Sequence, residues 1–161
     1  MIVGQRERAG GAFTDPLTWL AIGLLVPNDH VLKRVAPSPF TGKLSDFAGL
    51  AFFPLLLEAL CEGALVAFGR YRGPSMRRLG ACIAITGVCF AWMKLTSFGA
   101  SVYAFGLGLA QWPFRAAFTL CAGESVAHFR SASIVMDPSD LMALSALLLA
   151  YVIGRRRTAR R

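Results

Sequence analysis

The chain has 161 residues, 55% of them hydrophobic and 16% charged, with a mean hydropathy of +0.54. Soluble domains carry about 25% charged residues, so this composition excludes a disordered chain and speaks against a soluble single domain. Its 17 Lys and Arg against 9 Asp and Glu give a net charge of +8. These cations sit between long apolar runs and do not cover a solvated face, which sets nucleic-acid binding aside.

Arg6 and Arg8 precede the first apolar run, 17–27, which is expected to continue as helix to about residue 35. Thr14-Asp15-Pro16 opens it with an N-cap carboxylate and a proline at the first helical position, where no N–H is left unpaired. A signal-peptide reading meets Asp15 within the basic lead and Pro27-Asn28-Asp29-His30 where a small-residue cleavage site belongs, so the segment is read as retained. A loop over 36–43, stiffened by Pro37 and Pro39, leads to Asp46.

The runs 47–69 and 79–98 follow. Each has the roughly 20 apolar residues that a membrane crossing needs. Arg70, Arg72, Arg77 and Arg78 crowd the connection between them. Gly80, Ala81, Ala84, Gly87 and Ala91 give the second of these runs a small-residue face for close helix approach. Residues 99–137 interrupt the pattern. They contain an apolar stretch, 102–110, and Trp112-Pro113-Phe114-Arg115, whose aromatic and cationic groups suit a membrane interface. The final run, 141–154, opens at Asp137-Pro138 and stops at Arg155-Arg156-Arg157.

These elements predict an all-α, polytopic integral membrane helix bundle forming one membrane domain. About four transmembrane helices are expected, over approximately 15–35, 46–69, 79–98 and 138–154. An outer loop, 99–137, would hold an interfacial or re-entrant segment, and 155–161 would form a basic tail. The alternative, a fifth span over 101–122 through Arg115, would put the Arg-rich tail outside, against the positive-inside rule. A four-helix path puts eleven of the 17 basic residues on one side, which the positive-inside rule assigns to the cytoplasm. A bacterial inner (plasma) membrane location with both termini cytoplasmic follows. Cys61, Cys82 and Cys89 lie within apolar runs and Cys121 within the outer loop, with no CxxC pair. Neither a zinc site nor a disulfide framework nor a cofactor is expected.

Two polar sets stand out against this background. On the predicted outer face, Asn28, Asp29, His30 and Lys33 end the first helix, while Lys43 and Asp46 precede the second. Lys94 ends the third, and Asp137 and Asp140 open the fourth. Ser45-Asp46-Phe47-Ala48-Gly49-Leu50 and Ser139-Asp140-Leu141-Met142-Ala143-Leu144 share the pattern Ser-Asp-x-x-small-Leu. In the four-helix topology each opens a helix running inward, and both copies would enter the membrane from one side. The plain structural alternative is that the aspartates cap helices and that Asp29 and Lys33 form an i,i+4 pair. Within the second span, Glu58 and Glu62 share one helix face, about 18 and 24 Å below Asp46 at 1.5 Å per residue. Intramembrane carboxyls are expensive and tend to mark function, so both are candidates for proton or ion binding. With a shifted span, Glu62 would instead pair with Arg70 or Arg72.

Three blocks carry a resemblance: Asn28-Asp29-His30-Val31-Leu32-Lys33, Thr41-Gly42-Lys43-Leu44-Ser45-Asp46-Phe47-Ala48-Gly49-Leu50 and Asp137-Pro138-Ser139-Asp140-Leu141. Together they resemble a group of small uncharacterised bacterial multi-spanning membrane proteins. The resemblance covers under a fifth of the chain and implies importance for the blocks without implying an activity.

The leading expectation is an outward-facing polar pocket that binds or moves a small ligand, ion or lipid headgroup. Asn28, Asp29, His30, Lys33, Lys43, Asp46, Lys94, Asp137 and Asp140 would line it, with Glu58 deeper. Four helices enclose little volume, so transport would call for a homo-oligomer. One alternative is a membrane enzyme acting on a lipid-linked or periplasmic substrate, with His30 and Asp29 for acid–base work and Lys33 or Lys43 for a phosphate. No HExxH or GxSxG motif supports it. The other is a non-catalytic assembly subunit held to a membrane protein partner through small-residue faces. The lipid bilayer is a partner in every case.

Overall fold

A computed structural model describes residues 9–28, 31, 35, 38–123 and 125–159. These residues hold five α-helices and no strand, an all-α helical bundle. In chain order the helices are α1 (Pro16–Pro27), α2 (Pro39–Ala67), α3 (Met76–Leu95), α4 (Ser97–Cys121) and α5 (Leu147–Ala159). A 3-10 turn over Gly11–Thr14 precedes α1, and a 3-10 helix over Pro138–Ala146 leads into α5.

Local chemistry accounts for the helix starts. The Asp15 carboxylate accepts from the Leu17 N–H at 3.0 Å, with Pro16 opening α1 as its sequence predicts. Ser38 does the same for α2: its hydroxyl accepts from the Thr41 N–H, while Thr41 Oγ1 accepts from the Ser38 N–H. This capping box starts α2 at residue 39, so residues 39–43 are helical instead of forming the expected proline-stiffened loop. Thr96 caps α4 by accepting from Gly99 N–H.

Three helical segments are long and apolar enough to cross a membrane: Phe40–Ala67, Met76–Leu95 and Pro138–Ala159. They correspond to three of the four expected spans. Large apolar side chains such as Leu60, Ile85, Val88 and Leu148 are exposed on them, as a hydrocarbon solvent requires. α1 has 12 residues, about 18 Å of helix at 1.5 Å per residue, which falls short of a 30 Å hydrocarbon core. The expected outer segment is helical in its first part, α4 with 25 residues, and without regular secondary structure over 125–137.

The chain divides into two compact units, Met1–Val88 with Met142–Arg161, and Cys89–Leu141. In the first, Ala12, Leu55, Leu79, Ala150 and Ile153 form the buried apolar core, with Leu17, Met76, Ile83 and Leu149 against it. α1 packs on α2, and α2 on α5. The small-residue face of α3 is used within the chain: a Cβ at Gly87 would come within 3.0 Å of Leu147 Cδ1. In the second unit, residues 125–137 lie along α4 as a strap. Ala127 N–H donates to Thr119 Oγ1, Trp112 Nε1 donates to Ala127 O, and Ala132 N–H donates to Ala104 O. At Gly108 the strap touches the helix so closely that a Cβ would sit 2.6 Å from Arg130 O.

Candidate functional site

The first polar cluster lies in the first unit. α2 carries Glu58 and Glu62 on one face, one turn apart, and both are buried, Glu62 completely. Arg157, near the end of α5, meets Glu62 as a fork: Nη1 donates to Oε1 and Nη2 to Oε2, each at 3.0 Å. Paired N–H donors on one carboxylate form the strongest geometry available to this pair of groups. Arg78, in the first turn of α3, donates through Nη2 to Glu62 Oε1 at 2.5 Å and to Gly73 O at 3.1 Å. A fourth hydrogen bond comes from the Gly10 N–H to Oε2 at 2.7 Å. Gly10 holds φ +77°, and a Cβ on Gly11 would lie 2.9 Å from Arg157 Nε, so the Gly10-Gly11 pair lets the backbone rest on the guanidinium.

Glu58 stands beside the same two arginines at longer range, 3.7 Å from Arg78 Nη2 and 3.8 Å from Arg157 Nη1. Tyr71, in the connection between α2 and α3, closes the cluster. Its hydroxyl accepts from Arg157 Nη2 at 3.3 Å, and the Arg78 guanidinium lies 5.9 Å from its ring centroid. Burial, followed by the negative charge of Glu62, raises the Tyr71 phenol above its usual value of 10.0, against the lowering pull of Arg157 and Arg78. Glu62 therefore has basic partners, and they are Arg78 and Arg157, not Arg70 or Arg72. Both belong to the cationic runs that sequence alone assigns to topology. The spacing offers no sign of the pairing, because Glu62 and Arg157 are 95 residues apart.

The second cluster lies in the other unit. Lys94, in the last turn of α3, meets Asp140, in the 3-10 helix before α5, with Nζ 2.6 Å from Oδ2. Both side chains are under 10% exposed. Lys94 also donates to Val135 O at 3.4 Å and lies 5.5 Å from the Phe90 ring centroid. Asp137 accepts from the Ser139 N–H at 2.8 Å, and its carbonyl accepts from the Asp140 N–H at 3.0 Å, so it caps the turn that presents Asp140. The structure thus brings together Lys94, Asp137 and Asp140 of the predicted outer set.

Asn28 ends α1 fully buried, with Nδ2 donating to Thr41 O at 2.7 Å and Oδ1 without a hydrogen-bond partner among the described residues. Lys43 and Asp46 are half-buried on α2. Asp29, His30 and Lys33 lie outside the described residues. The two Ser-Asp-x-x-small-Leu copies differ in local conformation: the first lies within α2 and the second within the 3-10 helix. All four cysteines are free. Among the described residues no three His, Cys, Asp or Glu side chains group closely enough to hold a metal ion.

Compared with known proteins, the chain matches no protein-family model, and no curated protein or solved structure matches it. The arrangement itself defines the class: an all-α protein with three helices fit for a membrane and two buried ionic clusters.

Proposed function

We propose that the chain is a multi-pass protein of a bacterial inner membrane, with both termini cytoplasmic. In this reading the Lys94–Asp140 pair is the centre of an outward-facing site for a small ion or lipid headgroup. Kinship with the small bacterial multi-spanning membrane proteins that the three blocks resemble is part of the proposal. The carrying observation is the pair itself: two oppositely charged groups, buried together at 2.6 Å, at the end of an apolar helix. Ionised groups at membrane depth are expensive and are retained where they bind or relay something. A small anion competes with Asp140 for Lys94, and a small cation competes with Lys94 for Asp140. A zwitterionic headgroup satisfies both. Gly10 and Arg157, from opposite ends of the chain, meet on one carboxylate, which supports a shared side for the two ends. With three long spans this requires a fourth crossing between Gly10 and the start of α2.

A ligand that binds the folded state raises the unfolding temperature. Purified protein in nanodiscs is expected to show a saturable rise with at least one of sodium, magnesium, phosphate or phosphoethanolamine. Asp140→Asn and Lys94→Met are each expected to abolish that rise. No shift with any of the four, or a shift that both variants retain, overturns the proposal.

A further inference from the structure

A second surface of the Cys89–Leu141 unit uses none of the groups of the Lys94–Asp140 pair. Phe105, Leu109 and Trp112 of α4, together with Phe129 of the strap, line a shallow hollow of about 250 Å³ without a polar wall. Phe105 and Phe129 hold its floor with ring centroids 5.3 Å apart. Trp112 is fixed at its edge by the hydrogen bond to Ala127 O. Every lining side chain keeps more than a third of its surface exposed, so the hollow faces outward from the unit.

Two exposed arginines are close neighbours in sequence of its lining residues. Arg115 follows Trp112 by three residues, which puts it one turn along the same helix face. Its Nη2 donates to Gln111 Oε1, a neutral acceptor, at 2.7 Å. Arg130 follows Phe129 directly and is exposed, with its carbonyl against Gly108. Apart from Glu124, residues 97–136 contain no acid. An aromatic-lined hollow, with one exposed arginine three residues from Trp112 and another next to Phe129 in the chain, complements an amphiphile with an apolar chain and a negative head. The geometry points to a docking site for one anionic phospholipid, its acyl chain against Phe105, Leu109, Trp112 and Phe129 and its phosphate toward Arg115 and Arg130.

Trp112 reports on this occupant directly. In a Trp19→Phe/Trp92→Phe background, brominated-chain phosphatidylglycerol in detergent micelles is expected to quench Trp112 fluorescence at roughly tenfold lower concentration than brominated-chain phosphatidylcholine, given two cations near an anionic head. Arg115→Gln with Arg130→Gln is expected to erase the difference while leaving quenching itself in place. Inorganic phosphate at millimolar concentration is expected not to displace the lipid, since it lacks the chain. The unsubstituted protein supplies an independent reading: native mass spectrometry after detergent exchange is expected to retain phosphatidylglycerol over phosphatidylcholine. Equal quenching by both lipids, a preference that survives the double arginine substitution, full displacement by phosphate, or equal retention in the unsubstituted protein would each overturn the assignment.

Discussion

Glu62 accepts four hydrogen bonds in a place closed to solvent, from three residues in distant parts of the chain: Gly10, Arg78 and, twice, Arg157. A buried carboxylate is tolerable only when paired and hydrogen-bonded, so the loss of one donor is felt by the rest. Removing a partner from a buried ion pair destabilises by about 3–5 kcal/mol, and Arg157→Ala falls in this class. Arg78→Ala acts on the same oxygen, and the two substitutions are expected to be coupled by about 0.5–3 kcal/mol. A double-mutant cycle on unfolding in mixed micelles measures this, and additive losses would show that the arginines do not share Glu62. Little of the cluster is legible in the sequence. The i,i+4 spacing puts Glu58 and Glu62 on one face, but a partner that arrives from another helix leaves no spacing to read. Arg157 stands in a run whose other members look the same. Lys94 and Asp140 are better foreseen, because each ends or opens an apolar run and so reaches the same level.

At the scale of elements, capping and packing decide what apolar content only outlines. The apolar run beginning at residue 47 announces α2, but Ser38 and Thr41 start the helix eight residues earlier by satisfying its first donors. Serine followed by proline is equally a loop signal, and only the reciprocal hydrogen bonds distinguish the two. Asp15-Pro16 is read correctly because the apolar run follows it at once. α4 is harder to see. Gly106, Gly108, Pro113 and Arg115 lower its hydropathy and interrupt its pattern, while the strap supplies long-range hydrogen bonds that no local pattern encodes. Gly108 is where helix and strap touch most closely. Gly108→Val is therefore expected to lift the strap and to speed tryptic cleavage after Arg130 several-fold, with helical circular dichroism unchanged. An unaltered cleavage rate would mean that the strap is not held at Gly108.

For the whole molecule, the 17 basic residues fall into two groups. Most flank apolar segments, the arrangement by which cations orient chains in membranes. Arg78 and Arg157 are instead drawn inside to neutralise Glu58 and Glu62. The cluster joins the residues before α1, the later part of α2, the start of α3 and the end of α5 in one unit, so these ends share a level. Of the four expected crossings, three have helices of sufficient length. The membrane character of the chain is thus the part most openly written in its composition. The central claim is that these ends lie in the cytoplasm while the turn carrying Asp137 and Asp140 faces outward. Substituted-cysteine labelling in a cysteine-free background, with a membrane-impermeant maleimide on spheroplasts, tests this most directly. Ser139→Cys is predicted to label in intact spheroplasts and Ala159→Cys only after lysis; labelling of Ala159→Cys before lysis, or protection of Ser139→Cys until lysis, would contradict the account.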